Sequence, residues 1–189
     1  MKKYFKQLTI ALFAIASLSV VSCKKDNPVP ETDQEEFDQT VLTFVELDNN
    51  HQEIGDPALT VTFDIKGKPD KSQYQLMAGH SYRMYIKLYS KGEVVNDEVL
   101  GDADLHQFFF TGAPDGVLDY TYEDNIGLKG VFNVQKENPV FTLNLVLRHG
   151  LKKSNPLLPW NSPRSEYVKA GGADDLNVSF DIHPEAEAE

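Results

Sequence analysis

The sequence predicts an all-β fold, an antiparallel β-sandwich of about seven to eight strands, and three observations carry that prediction. First, apolar residues recur with a period of two: Leu59, Val61, Phe63 and Ile65 alternate with Thr60, Thr62 and Asp64. The same rule selects Tyr82, Met84, Ile86 and Leu88, then Phe141, Leu143, Leu145 and Leu147, then Leu176, Val178, Phe180 and Ile182 as inward-facing sets. Second, turn chemistry punctuates these runs at Asp48-Asn49-Asn50, Lys66-Gly67-Lys68-Pro69, Lys91-Gly92, Pro114-Asp115-Gly116 and Asn125-Ile126-Gly127. Third, no segment keeps an apolar spacing of three and four residues over an ordinary helix length, so almost no helix is expected beyond the leader.

In order, the strands are expected near residues 40–47, 58–65, 80–89, 105–111, 117–123, 128–134, 139–148 and 175–182. A length of 189 residues with 41% hydrophobic and 25% charged residues fits one folded domain with appendages rather than a multi-domain or wholly disordered chain. Only residues 149–174 break the short-turn rule. That loop carries Trp160 and Tyr167 between prolines and glycines. Two readings stand for it: a partner-recognition loop anchored on these rings, or a flap that packs its own side chains on the sandwich rim.

Ahead of the strands, Lys2, Lys3 and Lys6 precede an uncharged apolar stretch from Leu8 to Val21, the pattern of an export signal. The stretch is shorter than the ~20 residues a spanning helix needs. Val20-Val21-Ser22-Cys23 resembles the lipobox of bacterial lipoproteins, which implies cleavage before Cys23 and a diacylglyceryl group on its sulfur. Cys23 is the sole cysteine, so it has no disulfide partner in the chain. Lipidation accounts for the unpaired thiol, each buried methylene contributing about 0.8 kcal/mol to membrane attachment.

Residues 1–22 are thus expected to be a signal peptide, and 23–38 a lipidated cysteine with an acidic, disordered tether. Residues 39–184 would form the sandwich and 185–189 an acidic tail. Lys24, Lys25 and Asp26 also resemble the charged signals that send Bacteroidota lipoproteins to the outer face. The expected location is the outer membrane, on its periplasmic face or at the cell surface. With 29 acids against 18 basic residues and a net charge of -11, the chain opposes phosphate neutralisation, so no nucleic-acid partner is expected.

No Gly-x-Ser-x-Gly turn, phosphate-cradling glycine loop or dinucleotide fingerprint occurs, so a non-catalytic protein is expected. The densest chemistry lies in Asn96 to Gln107, where Asp102, Asp104 and His106 would share one face of an extended chain. His149 continues the inward face of Phe141 to Leu147 and could meet His106. His106, His149, Asp102 and Asp104 are therefore the candidate ligands for zinc or another borderline divalent ion. The alternative is that His106 caps the core edge and His149 hydrogen-bonds a carbonyl.

Leu42-Thr43-Phe44-Val45-Glu46-Leu47-Asp48, Asp104-Leu105-His106-Gln107-Phe108-Phe109-Phe110, Leu147-Arg148-His149 and Gly171-Gly172-Ala173-Asp174-Asp175 with Val178-Ser179-Phe180-Asp181 occur in that order. Together they resemble a group of small Bacteroidota lipoproteins often encoded beside TonB-dependent outer-membrane receptors. The resemblance implies an immunoglobulin-like domain at the outer membrane and an accessory role in nutrient or metal uptake through such a receptor. A structural or adhesive surface module without a small-molecule site is the alternative.

Overall fold

Among the residues described by the computed structural model, 35–153 and 157–186, ten strands form two sheets packed face to face. The first sheet runs β2 (Leu59–Phe63), β1 (Gln39–Glu46), β4 (Ser81–Ser90), β8 (Lys129–Val134), β7 (Leu118–Tyr122), with β5 (Glu93–Val94) pairing the end of β4. The second runs β3 (Tyr74–Met77), β10 (Ala173–Glu185), β9 (Phe141–His149), β6 (Gln107–Thr111). Every pairing is antiparallel except β3 with β10, which is parallel. The signal, Cys23 and residues 23–34 of the expected tether lie outside the described residues, as do 187–189 of the tail. No described helix is long and apolar enough to cross a membrane.

Alternation places the core as period two requires. Leu42 and Phe44 of β1, Met84, Ile86 and Leu88 of β4, Leu143, Leu145 and Leu147 of β9, and Val178, Phe180 and Ile182 of β10 are all buried in one cluster between the sheets. Aromatic rings join the sheets at two places. Phe63 of the first sheet meets Phe180 of the second edge-on at 5.8 Å. Phe110 meets Phe132 edge-on at 5.0 Å, with Tyr120 tilted against both at 4.8 and 4.7 Å. The close approach of Tyr120 requires a glycine opposite it, since a Cβ on Gly130 would lie 2.3 Å from the Tyr120 ring.

The structure departs from the expected elements at four points, each with a local cause. Ile65 was expected inward but is 72% exposed. β2 stops at Phe63 because the Asp64 carboxylate accepts the N–H groups of Lys66 and Lys68 at 2.8 and 2.9 Å and closes a turn. The stretch from Asn96 to His106, where an extended chain would put Asp102, Asp104 and His106 on one face, instead forms a short helix α1 (Asn96–Gly101) and a 3-10 turn (Ala103–Leu105), with Val99 buried. Asn96 docks this helix on the sheet: its Oδ1 accepts the Leu88 N–H at 2.8 Å and its Nδ2 donates to the Ile86 carbonyl at 2.7 Å. β3 and β5 are strands that the periodicity did not single out.

The fourth departure is at the domain boundary. Ordering begins before residue 39: Phe37 packs against the core, and the Asp38 N–H donates to the Tyr89 carbonyl at 2.9 Å. The long loop also gains structure, with a second helix α2 (Arg164–Tyr167) and a 3-10 turn (Val168–Ala170). It folds over the outer face of β6, where Phe109, Val146, Leu151 and Tyr167 make a second small core. Its Trp160 carbonyl accepts the Phe110 N–H at 2.8 Å, so the loop also occupies the free edge of β6.

Truncating the ring that bridges the sheets, in Phe110→Ala, is expected to cost about 3–5 kcal/mol, because both the transfer and the cavity contributions fall on a site with no exposure. Urea denaturation would measure it as a fall in midpoint at unchanged slope.

Candidate metal centre

At one end of the sandwich, three chain segments deliver His106, His149 and Asp175 to one buried point. His149 arrives by simple alternation, as the last residue of β9 on the face that carries Leu143, Leu145 and Leu147. His106 follows the 3-10 turn in extended conformation, with φ -112° and ψ 142°. The Leu151 N–H donates to the Leu105 carbonyl at 3.0 Å, tying the end of β9 to the turn that carries His106.

Asp175 arrives by a β-bulge. Ala173 pairs His149 and Asp174 pairs Arg148, but Leu176 pairs Leu147, so Asp175 is an extra residue with no partner on β9. A bulge of this kind re-aims a side chain, and here it turns Asp175 inward beside the partly buried Leu176. The chain enters β10 through Gly172, with φ +75°, where a Cβ would sit 2.0 Å from the His149 carbonyl oxygen. No other residue fits that contact without displacing the histidine.

The two imidazoles stack at 4.5 Å between centroids, 21° from parallel. Asp175 Oδ2 lies 3.3 Å from His149 Nδ1 and 3.8 Å from His106 Nε2. One ligand atom from each of the three lies within 4.8 Å of the others. Glu35 adds a second carboxylate, its Oε1 3.7 Å from His106 Nε2. Ligand atoms on a tetrahedral zinc ion lie about 3.3 Å apart, given metal–ligand distances near 2.0–2.1 Å. The cluster is therefore slightly wider than a closed coordination shell.

Its polar atoms are stranded. His106 Nε2, His149 Nδ1 and both Asp175 oxygens are buried without a hydrogen-bond partner among the described residues. The Asp175 side chain is 0% exposed. A buried carboxylate in this state costs several kcal/mol unless a cation joins it. The neighbouring Asp102 carbonyl, 3.0 Å from His106 Nδ1, makes that nitrogen the donor and leaves Nε2 as the atom that faces the cluster. Burial acts to depress the His106 pKa, but the Asp175 carboxylate, the Asp102 carbonyl and Glu35 outweigh it and hold it above its ordinary value. Burial pushes the Glu35 carboxyl up, with the nearby His106 and His149 pulling the other way.

Of the residues singled out in the sequence, the structure brings His106 and His149 together. Asp102 and Asp104 do not join them through their side chains. The helix and 3-10 turn break the extended geometry that would have put all three on one face, so Asp102 contributes only its carbonyl. Asp104 is exposed, near Lys153, whose ammonium donates to the Ala103 and Asn125 carbonyls. Asp175 and Glu35 were not singled out. Asp175 falls in an acidic pair with Asp174, and a bulge has no sequence signature, whereas Glu35 belongs to a run of acids that reads as solvated.

Trp160 and Tyr167 sit inward rather than as surface anchors. Tyr167 is buried, stacks on Phe109 at 4.9 Å and faces the Arg148 guanidinium at 5.5 Å. Trp160 is partly buried against Tyr120 and Phe132 at 6.2 and 6.4 Å. The loop thus packs its own rings, and in doing so braces the cluster. Buried Arg148 donates to the Gly171 and Gly172 carbonyls at 2.6 Å and to Asp174 Oδ1 at 2.5 Å, fixing the approach to the bulge.

Two outcomes follow for stability. Partial burial acts against the Asp174 charge, but hydrogen bonds from Arg148 and Arg164 outweigh it and hold the carboxyl below its ordinary range. A depressed acid contributes stability that is present in full above its unfolded value and lost as the pH falls through the folded one, here below about pH 4. Asp174→Asn strands the Arg148 charge and is expected to cost about 3 kcal/mol at neutral pH and to flatten that acid limb. In the metal-free protein Asp175→Asn removes the carboxylate that helps hold the His106 pKa up, so the stability that the raised value contributes at pH below the ordinary histidine range is expected to diminish. Chemical denaturation as a function of pH in the presence of a chelator measures both.

No protein-family model matches the chain and no curated protein matches it, so the arrangement rests on the geometry of this molecule alone.

Proposed function

We propose that the protein is an exported, lipid-anchored β-sandwich that binds a divalent transition metal and serves as a non-catalytic accessory to metal or nutrient uptake at the outer membrane. The observation that carries the metal reading is the convergence of His106, His149 and Asp175, with four buried polar atoms that have no hydrogen-bond partner among the described residues. Two imidazole nitrogens and carboxylate oxygen form a borderline donor set, suited to zinc and its neighbours rather than to calcium or magnesium. Once metal binding has displaced their protons, two neutral imidazoles and the Asp175 and Glu35 carboxylates would sum to two negative charges, which a divalent ion balances.

The anchor and location rest on the sequence: the basic start, the apolar stretch and the Val20-Val21-Ser22-Cys23 resemblance to a lipobox. Loss of residues 1–22 removes three lysines and no acids, so the charge of the remainder is -11 - 3 = -14. An acidic surface of this kind raises the local concentration of cations. The link to a TonB-dependent receptor rests on the family resemblance.

Purified protein stripped with chelator and titrated with zinc by calorimetry should bind one equivalent. His149→Ala and Asp175→Asn should each abolish that uptake while circular dichroism keeps its β-sheet signature. Absence of stoichiometric zinc, cobalt or nickel binding would remove the metal reading. Mass spectrometry of the native protein should show acyl chains on Cys23, and a free thiol there would remove the anchor.

A further inference from the structure

Glu35 stands at the root of the segment that joins the sandwich to Cys23, and its position has a consequence beyond metal capture itself. The chain just after it is fixed: Phe37 packs into the core, the Asp38 N–H donates to the Tyr89 carbonyl at 2.9 Å, and Asp38 Oδ2 accepts the Gly92 N–H at 3.1 Å. Glu35 itself reaches the cluster with one oxygen, 3.7 Å from His106 Nε2, while its side chain stays 26% exposed. The other three ligand candidates come from the body of the sandwich, at the 3-10 turn, the end of β9 and the bulge of β10. Glu35 alone belongs to the N-terminal segment. Beside it lies a cleft of about 590 Å³ lined by Glu35, Phe37, Ile65, Lys91, Asp174 and Asp175.

We propose that Glu35 is the fourth metal ligand, so that a divalent ion held by His106, His149 and Asp175 staples the N-terminal segment to the sandwich and fixes where the membrane tether leaves the domain. This rests on the metal reading above. A tetrahedral site takes four ligands, and the sandwich body supplies three, of which the Asp175 carboxylate is buried with no hydrogen-bond partner among the described residues. Closing the shell needs the Glu35 carboxylate, 3.7 Å from His106 Nε2 but outside the set of ligand atoms that lie within 4.8 Å of one another, to move inward. Occupancy is thereby coupled to chain order: the ion adds a contact across the one segment linking domain and lipid, and its release removes that contact.

Zinc titration and hydrogen exchange on the full-length protein, wild type beside Glu35→Gln and Asp175→Asn, test the proposal. In the wild type, zinc should slow exchange at the amides of residues 35–38 as well as near His106 and His149. Glu35→Gln should still bind zinc, but more than about tenfold more weakly, a loss at least as large as removal of an outer-shell partner brings. In that variant the zinc-dependent protection of residues 35–38 should vanish. Asp175→Asn should lose binding and protection together. Zinc binding of wild-type strength in Glu35→Gln, or zinc protection of the histidines without any at 35–38, would overturn the staple while leaving the metal reading intact. No zinc binding by the wild type would overturn both.

Discussion

Between Asp174 and Leu176, strand β10 carries one residue more than β9 can pair, and the chemistry at that end of the molecule depends on this surplus. Along most of β10 the strand keeps strict alternation, with Val178, Phe180 and Ile182 in the core and Asn177, Ser179 and Asp181 outside it. Without the surplus residue, Asp175 would fall on the outward parity and reach solvent. With it, a carboxylate enters a dry corner opposite two stacked imidazoles. The bulge is stabilised from outside the core, by Arg148 bridging Asp174 and the carbonyls of Gly171 and Gly172. That guanidinium is in turn covered by Tyr167 from the long loop. Loop, arginine, glycine pair and bulge form one mechanical unit whose product is the placement of a single side chain.

The electrostatics of that corner explain why such an arrangement would be retained. Buried charge without a partner opposes folding, and a fold selected for stability alone would place an apolar residue at 175. The nearest guanidinium is already committed to Asp174. What remains beside Asp175 are two imidazole nitrogens, His149 Nδ1 at 3.3 Å and His106 Nε2 at 3.8 Å, the latter ring held at its opposite edge by the Asp102 carbonyl.

Much of this molecule was legible in its sequence, and the parts that were not share a cause. Alternation in Tyr82 to Leu88, Phe141 to Leu147 and Leu176 to Ile182 marks the central strands because each has one dry face, and His149 was legible as a core-facing histidine for the same reason. β3 escaped because its four residues find a partner only in β10, about a hundred positions away, with no local signature. The helix Asn96–Gly101 escaped because six residues are too few to establish a helical period. Its presence is also what separated Asp102 and Asp104 from His106. Asp175 and Glu35 were hidden differently: an acid in an acidic stretch looks solvated, and neither the bulge nor the early docking of Phe37 leaves a mark that composition or periodicity can register.

β10 lies between β3 and β9 in the second sheet and is the last of the described strands, so half of the sandwich waits for it. Among the described residues β3 has no other sheet neighbour, and β9 and β6 alone would leave a two-stranded ribbon with an uncovered apolar face. A nascent polypeptide therefore cannot close this architecture while residues 173–185 are still inside the ribosome. Until then the second sheet lacks the strand that joins its two parts.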